Sequence, residues 1–268
     1  MSETTDGPAI TLYRLQACPF CERVVRTLDD LDLDYRSRFV EPMHSDRNVV
    51  KRLSGKRTVP AIVDENTGVT MSESANIVEY LSATYGDGPR GEGGVATDTD
   101  FEVVDLGPAE DAVGEGDVAP DFTRPLVDDE QWENATLSGL TADGPVLLVF
   151  FTMDGAFPAT YVWNNVRDRA WEEEHDVDVV GLSVSDPYSH KRLIEERGID
   201  YRLFSDPRNG VAREWGIAHE LDGMAGIEEP RPAVYLLDPD RRVEYAWVAT
   251  EWPDFPDYDE IEAALADY

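Results

Sequence analysis

The sequence predicts an α/β chain organised as two domains in tandem, and three observations carry that prediction. Apolar runs of strand length alternate with amphipathic helical stretches over residues 10–85, and again from about residue 117 to the end; such alternation marks helices packed on a sheet. The stretch between the two blocks, GDGPRGEGGVATDTD at residues 86–100, holds hardly any large apolar group and reads as a linker. The length, 268 residues, suits about two domains that each bury a core. The expected division is 1–86, a flexible acidic Gly-rich linker over 87–113, and 114–268.

In the first block, residues 10–15 form a short apolar-rich run and are expected to be a strand. Residues 19–31 place Val24, Val25, Leu28 and Leu31 on one helical face. Residues 35–40 are a second strand candidate, with Tyr35 and Phe39 facing away from Arg36 and Arg38. A short helix is expected over 49–53. Strands at 60–63 and 69–71 flank the turn residues 64–68, as in a hairpin. Residues 72–85 read as a helix with Ile77, Val78 and Leu81 inward, stopped by Gly86.

Residues 101–106 are expected to add an edge strand, followed by a loose acidic stretch over 109–117. The run 146–151 is unbroken and apolar, as a strand covered on both faces would be. Helices are expected at 160–175, 188–197 and 258–266, and strands at 177–184, 233–237 and 243–249.

Charge separates the two blocks. The chain carries 56 acidic and 23 basic residues. A carboxylate-rich surface repels nucleic acid and anionic membrane, so neither is an expected partner. It suits a soluble protein in concentrated salt, where screening removes self-repulsion, and the expected setting is a halophilic cytoplasm. The polar N-terminus has no signal-like apolar segment, and no stretch approaches the ~20 apolar residues of a membrane span. Residues 1–90 hold 14 acidic and 11 basic side chains, against 42 and 12 in the rest. Salt adaptation alone does not predict that split; a first domain that attracts an anionic partner does.

The only two cysteines are Cys18 and Cys21, spaced Cys-Pro-Phe-Cys between a strand and an amphipathic helix. That position puts the Cys18 sulfur at a helix N-terminus, where unpaired N–H groups favour an anion. A thiolate is the nucleophile of disulfide exchange, and such surroundings lower a Cys pKa. Pro19 at the first helical position needs no N–H partner. Cys21, one turn on, is placed to resolve a mixed disulfide formed at Cys18. A structural zinc site needs four ligands, and no second Cys pair exists while His44, His175, His190 and His219 are scattered. No metal is expected.

The segment LYRLQACPFCERVVRTL resembles the active-site region of the glutaredoxins and of glutathione-transferase-type N-terminal domains. The likeness continues through TVPAIVD and GVTMSESANIVEYL, over about residues 9–85. It implies a thioredoxin fold, a cis Pro60 and a Val59 backbone that pairs with a small thiol. It also implies a substrate-holding pair, Glu73 for an ammonium and Ser74 for a carboxylate at a helix start. The co-substrate so implied is a glutathione-like γ-glutamyl thiol, with nothing permanently bound. The Lys that many glutaredoxins carry before the first Cys is absent; the nearest cation is Arg14, so thiolate stabilisation is expected to rest more on the helix terminus. Arg47, Lys51, Arg52, Lys56 and Arg57 admit two readings, a solvated helix face or a rim that attracts carboxylates of a small thiol or of an acidic protein.

From Gly116 the chain resembles the peroxiredoxins, in GDVAPDFTRPL, GPVLLVFF, YRLFSDPRNGVAREWGI and RPAVYLLDPDRRV. The resemblance implies a second thioredoxin-fold domain, carries the active-site Arg over to Arg231 and raises a homodimer through this half. The family's Pro-x-x-x-Thr-x-x-Cys loop is lost: Thr152, Ala156 and Ala159 stand at the Pro, Thr and Cys positions. Without a thiolate nothing attacks a peroxide oxygen, so this half is expected to be peroxidase-inactive, with Arg231 a remnant or the holder of a carboxylate. Met153, Phe157, Trp163 and Trp171 near this loop read as packing residues.

The combined expectation is a dithiol disulfide reductase of small-thiol and protein mixed disulfides, joined to a degenerate module. A small-thiol-binding transferase and a redox-responsive scaffold are the alternatives.

Overall fold

In the computed structural model, which describes residues 8–86, 104–221 and 224–268, the chain divides into Met1–Val103 and Val104–Tyr268. Each unit is an α/β thioredoxin fold.

The first unit runs β1 (Ile10–Arg14), α1 (Pro19–Asp30), β2 (Tyr35–Phe39), α2 (Asn48–Ser54), β3 (Ala61–Asp64), β4 (Val69–Ser72) and α3 (Ser74–Tyr85). The sheet order is β2-β1-β3-β4, with β1 parallel to β2 and antiparallel to β3. Strand β1 is buried along its whole length, and its period of two divides the core. Ile10 and Leu12 meet Val24 and Leu28 of α1 and Ile77 and Leu81 of α3. Tyr13, on the opposite face, meets Val50 of α2 and Ala61 of β3. Asp64 ties the hairpin to the end of α3, accepting from the hydroxyls of Tyr80 at 2.5 Å and Tyr85 at 2.6 Å. The parallel pairing of β1 and β2 puts both C-terminal ends on the side where α1 begins, and this places Cys18 there.

The structure corrects the start of α3. Ser72 closes β4, Glu73 is the N-cap residue, and the helix begins at Ser74. Helical periodicity cannot exclude one strand residue and one turn residue that precede it without a break.

The second unit runs β5 (Val104–Asp105), β6 (Thr123–Val127), β7 (Trp132–Thr136), α4 (Leu137–Thr141), β8 (Val146–Phe150), α5 (Phe157–Arg169) and α6 (Trp171–His175). It continues through β9 (Asp178–Ser183), α7 (Pro187–Arg197), β10 (Arg202–Ser205), α8 (Gly210–Glu214), β11 (Ala218–His219) and β12 (Glu229–Pro230). The unit ends with β13 (Ala233–Leu237), β14 (Val243–Val248), β15 (Glu251–Trp252) and α9 (Tyr258–Asp267). The main sheet has the order β14-β13-β8-β9-β10-β6-β7. Its centre, β8 beside β9, is parallel and fully buried in β8. One face packs Phe122, Phe150, Phe204, Trp215 and Tyr235 with centroids 4.9–6.5 Å apart, within aromatic pairing range. The other face holds Phe151, Trp163 and Trp171. Gly181 makes room for Trp163: a Cβ there would lie 2.4 Å from the indole.

Two expectations change here, and one hairpin is added. The helix expected over 160–175 is two helices, broken at Ala170, whose φ of +49° turns the chain. The hairpin β6–β7 is new. Pro125 and the polar WENAT hide it, and Pro125 is tolerated because β10 pairs only with Leu126 and Val127 of β6. The expected linker 87–113 is shorter at its C-terminal side. Residues 87–103 lie outside the described residues, as do 101–103 of the expected edge strand. Val104 and Asp105 pair with β15, and Val113 donates to the Trp215 carbonyl, so 104–113 belong to the second unit.

Candidate functional site

Cys18 occupies the N-cap position of α1 with extended backbone, φ −83° and ψ 112°. Its carbonyl accepts from the N–H groups of Cys21 at 2.8 Å and Glu22 at 3.0 Å. Ala17, just before it, is held at φ +47°, an uncommon conformation for a residue with a Cβ. Both thiols are free and buried, at 4% and 0% exposure, while Phe20 between them is 51% exposed.

The two sulfurs are electrically unequal. The Cys18 thiol is lowered, first by the hydrogen bond from the Cys21 S–H, against the opposing cost of burial. The N–H groups of Cys21 and Phe20 and the Arg14 charge add to the lowering. Cys21 is raised well above the ordinary thiol range, first by burial and then by its bond to Cys18. The helix terminus therefore contributes, but the partner thiol contributes most, which refines the sequence expectation.

Arg14 supplies charge from behind. It is buried, touches the Glu22 carboxylate, and sits 5.1 Å over the Phe39 ring. Glu22 is raised by burial despite that arginine. Arg47 is a clamp. Its guanidinium donates to the carbonyls of Glu41 at 2.8 Å, Pro42 at 2.7 Å and Arg57 at 3.3 Å. Burial lowers Arg47, and the charges of both cysteines pull the other way.

The Val59–Pro60 peptide is cis, and Val59 packs against the cluster of Leu15, Cys18 and Cys21. Glu73 has φ +80° and ψ 117°, a strained setting that costs about 1–3 kcal/mol. Its carboxylate meets Lys56 Nζ at 3.1 Å. Ser74 is buried at the first turn of α3.

In the second unit, Thr152, Ala156 and Ala159 are 1%, 2% and 3% exposed. Ala156 is the N-cap of α5 and makes no side-chain cap. The Thr152 hydroxyl has no hydrogen-bond partner among the described residues. Among the described residues Arg231 holds no carboxylate; it donates to the carbonyls of Gly107 at 2.8 Å, Leu106 at 3.2 Å and Ala249 at 3.4 Å. Of the two expected readings the carboxylate is not met, because the carbonyls of Leu106 and Gly107 take the guanidinium. Trp163 and Trp171 are core, and Met153 lines a cavity of about 500 Å3.

Sequence reasoning missed one pair. Fully buried His190 places Nδ1 3.0 Å from both oxygens of Asp154 and Nε2 3.1 Å from the Phe204 carbonyl. Since a carbonyl only accepts, Nε2 donates there. The residues are 36 positions apart, and no local signal links them.

Sequence models of two families match the chain: the glutathione S-transferase N-terminal domain over residues 12–90, and the AhpC/TSA family over residues 115–246. Chloroplastic peroxiredoxin Q of Gentiana triflora is 31% identical over 49% of this chain, and that of Triticum aestivum 30% identical over 50%. The chain spans 58% and 59% of those two proteins. A Mycobacterium tuberculosis protein bearing the peroxiredoxin name is 31% identical over 48% of this chain and 80% of its own. Reduced 2-Cys peroxiredoxin of Plasmodium vivax superimposes with a TM-score of 0.50 at 20% identity, over 58% of this chain and 96% of that one. Peroxiredoxin 6 of Arenicola marina gives 0.51 at 14%, over 58% and 73%; both show likeness of fold. The chain belongs to the peroxiredoxin (AhpC/TSA) family through its second unit, preceded by a glutathione S-transferase-type N-terminal domain.

Proposed function

We propose that the first unit is a glutaredoxin-like dithiol disulfide reductase and that the peroxiredoxin unit attached to it is peroxidase-inactive. The observation that carries this reading is the inequality of the two sulfurs, with Cys18 lowered at a helix N-terminus and Cys21 raised behind it. The first is suited to attack and the second to wait as a thiol.

The Cys18 thiolate attacks one sulfur of a substrate disulfide. A bond forms from Cys18 to that sulfur, the substrate S–S bond breaks, and the other half leaves as a thiolate. Cys21 then loses its proton and attacks the Cys18 sulfur, which expels the second half and closes the Cys18–Cys21 disulfide. An external pair of thiols supplies the two electrons that reopen it. A γ-glutamyl thiol can replace Cys21 in the second step, held by the Val59 backbone beside cis Pro60 and by Glu73 and Ser74. Glu73 must release Lys56 to accept the ammonium of such a thiol.

Inactivity of the second unit is supported by Ala159, by Ala156 at the helix cap, and by Arg231 spent on chain carbonyls. The setting we assign is a halophilic cytoplasm, on charge alone. Turnover of hydroxyethyl disulfide and hydrogen peroxide by the purified chain tests the whole reading. Reduction of the first that needs Cys18, with no turnover of the second, is expected. Peroxide turnover that survives Cys18→Ser overturns the assignment of the second unit.

A further inference from the structure

Strands β8, β9 and β10 are parallel neighbours, so their C-terminal ends open on one side of the second unit. In open α/β sheets that edge is where ligands settle. A cavity of about 500 Å3 lies there, within the size range of small-molecule sites. Met153 comes from the turn after β8, Val184 from the end of β9, and Pro207 and Asn209 from the turn after β10. Ile227, 38% exposed, adds an apolar wall. Polar side chains are buried along the same edge: Thr152, Ser183, Ser205, Asp206 and Asn209. Polar groups buried at the end of an otherwise apolar sheet need partners.

Three of them have one. Ser183 Oγ accepts from the Ser185 N–H at 3.1 Å, and Ser205 Oγ donates to the Ser185 carbonyl at 2.6 Å. Asp206 takes the Arg124 guanidinium and the Val211 N–H, both at 2.7 Å. Thr152 leaves one hydroxyl unpaired, but Asn209 leaves both a donor and an acceptor. Its side chain is 2% exposed, and neither Oδ1 nor Nδ2 meets a partner among the described residues. The backbone does not explain this. Asn209 has φ +52°, and its main-chain N–H closes a turn on the Asp206 carbonyl at 2.8 Å. Asparagine suits that conformation, but so does glycine, and neither requires a buried amide. A buried donor and a buried acceptor left unpaired each carry a desolvation penalty, which a ligand in the cavity would remove.

We propose that this cavity binds a small uncharged ligand that carries a primary carboxamide on an apolar body. The ligand carbonyl accepts from Asn209 Nδ2 while the syn N–H of its NH2 group donates to Oδ1, a cyclic pair that satisfies both atoms. A trans secondary amide cannot do this, because its N–H and C=O point to opposite sides. Met153, Val184, Pro207 and Ile227 take the apolar body. Charge selects neither sign. Arg213 touches Glu228 and donates to the Arg208 carbonyl at 2.6 Å, so two lining charges cancel. Arg208 is exposed and adds one positive charge, but the whole chain carries −33 and opposes an anion. This binding is separate from the chemistry proposed for either unit and stands if that reading fails.

Benzamide is the probe, titrated into the full chain and followed through the Asn209 side-chain NH2 signals by heteronuclear NMR. Saturable shifts of those signals and of the Val184 and Ile227 amides are expected. N,N-dimethylbenzamide, which has no N–H, and benzoate, which is an anion without one, should each bind at least about tenfold more weakly. Asn209→Gly keeps the left-handed turn and removes the amide, so it should weaken benzamide by about tenfold or more. Should that variant fail to fold, the comparison of the three probes on the unaltered chain decides. The affinity for benzamide should be the same in the Cys18→Ser/Cys21→Ser chain. Absence of saturable shifts, equal binding of benzamide and N,N-dimethylbenzamide, tighter binding of benzoate, or unchanged affinity in folded Asn209→Gly overturns the proposal.

Discussion

The two units present the same device with different contents. In each, a buried central strand, β1 or β8, runs into a turn and then into a helix with proline in its first turn, Pro19 in α1 and Pro158 in α5. In the first unit the N-cap residue is Cys18, and the backbone N–H groups of the first turn face a sulfur. In the second the N-cap is Ala156 and the next turn holds Ala159, both buried. The fold delivers a helix terminus in both cases, since that follows from chain direction and backbone geometry. Chemistry depends on whether an ionisable atom stands there. The arginines differ in the same sense: Arg14 lies behind the thiols, while Arg231 is saturated by the carbonyls of Leu106, Gly107 and Ala249.

The strongest way to break this comparison is to remove the sulfur. Cys18→Ser should drop disulfide reduction to the rate of the buffer control, whereas Cys21→Ser should keep activity on small-thiol mixed disulfides. Equal loss in the two variants, measured with hydroxyethyl disulfide and a small thiol, removes the small-thiol route. The converse experiment puts the sulfur back. Ala159→Cys should leave hydrogen peroxide turnover at background, because only a sulfur is restored to the first turn of α5 while Arg231 stays engaged and Thr152 and Ala156 remain. Rapid peroxide consumption by that variant would mean that the cysteine alone separates the two units.

Smaller effects sharpen the electrostatic half of the comparison. Arg14→Met strands the Glu22 carboxylate, whose side chain is 12% exposed, and should destabilise the first unit by about 3 kcal/mol in urea unfolding. The same change should slow alkylation of Cys18. The pH dependence follows from the signs. Cys18 is depressed on folding, so its stabilisation is complete above the unfolded thiol value of about 8.5 and is lost as pH falls through its lower folded pKa. Cys21 is raised, so its contribution is present below about 8.5 and is lost as pH rises through its higher folded pKa. Alkylation of Cys18 followed against pH should therefore reach half its plateau below about 8.5. A midpoint at or above that value contradicts the lowered thiol.

Much of the fold was legible in the chain. Ile10 to Arg14, Val146 to Phe150 and Ala233 to Leu237 announce themselves as apolar runs, and Val24 and Leu28 repeat at helical spacing. The hairpin Thr123–Val127 with Trp132–Thr136 did not, because it carries Pro125 and a polar outer strand. The break at Ala170 was equally silent: an alanine in the left-handed region is held by its surroundings, not by its own preference. Of the candidate site, Cys18, Cys21, Val59 and Pro60 follow from spacing and from the resemblance. The Lys56–Glu73 contact, the Arg47 clamp and the Asp154–His190 pair do not, since each joins residues that local patterns treat as unrelated.

By itself the sequence determined the two-unit α/β order, the dithiol at a helix start, and the absence of any cysteine from the second unit, because strand and helix periods and residue identity are local properties. Tertiary structure decided the rest. It made Cys18 and Cys21 unequal through burial and a bond between their sulfurs, set the Arg14 charge beside them, and brought Leu106 and Gly107 to Arg231. Charge, burial and hydrogen bonding act through space, so groups distant along the chain acquire their properties only when folding makes them neighbours.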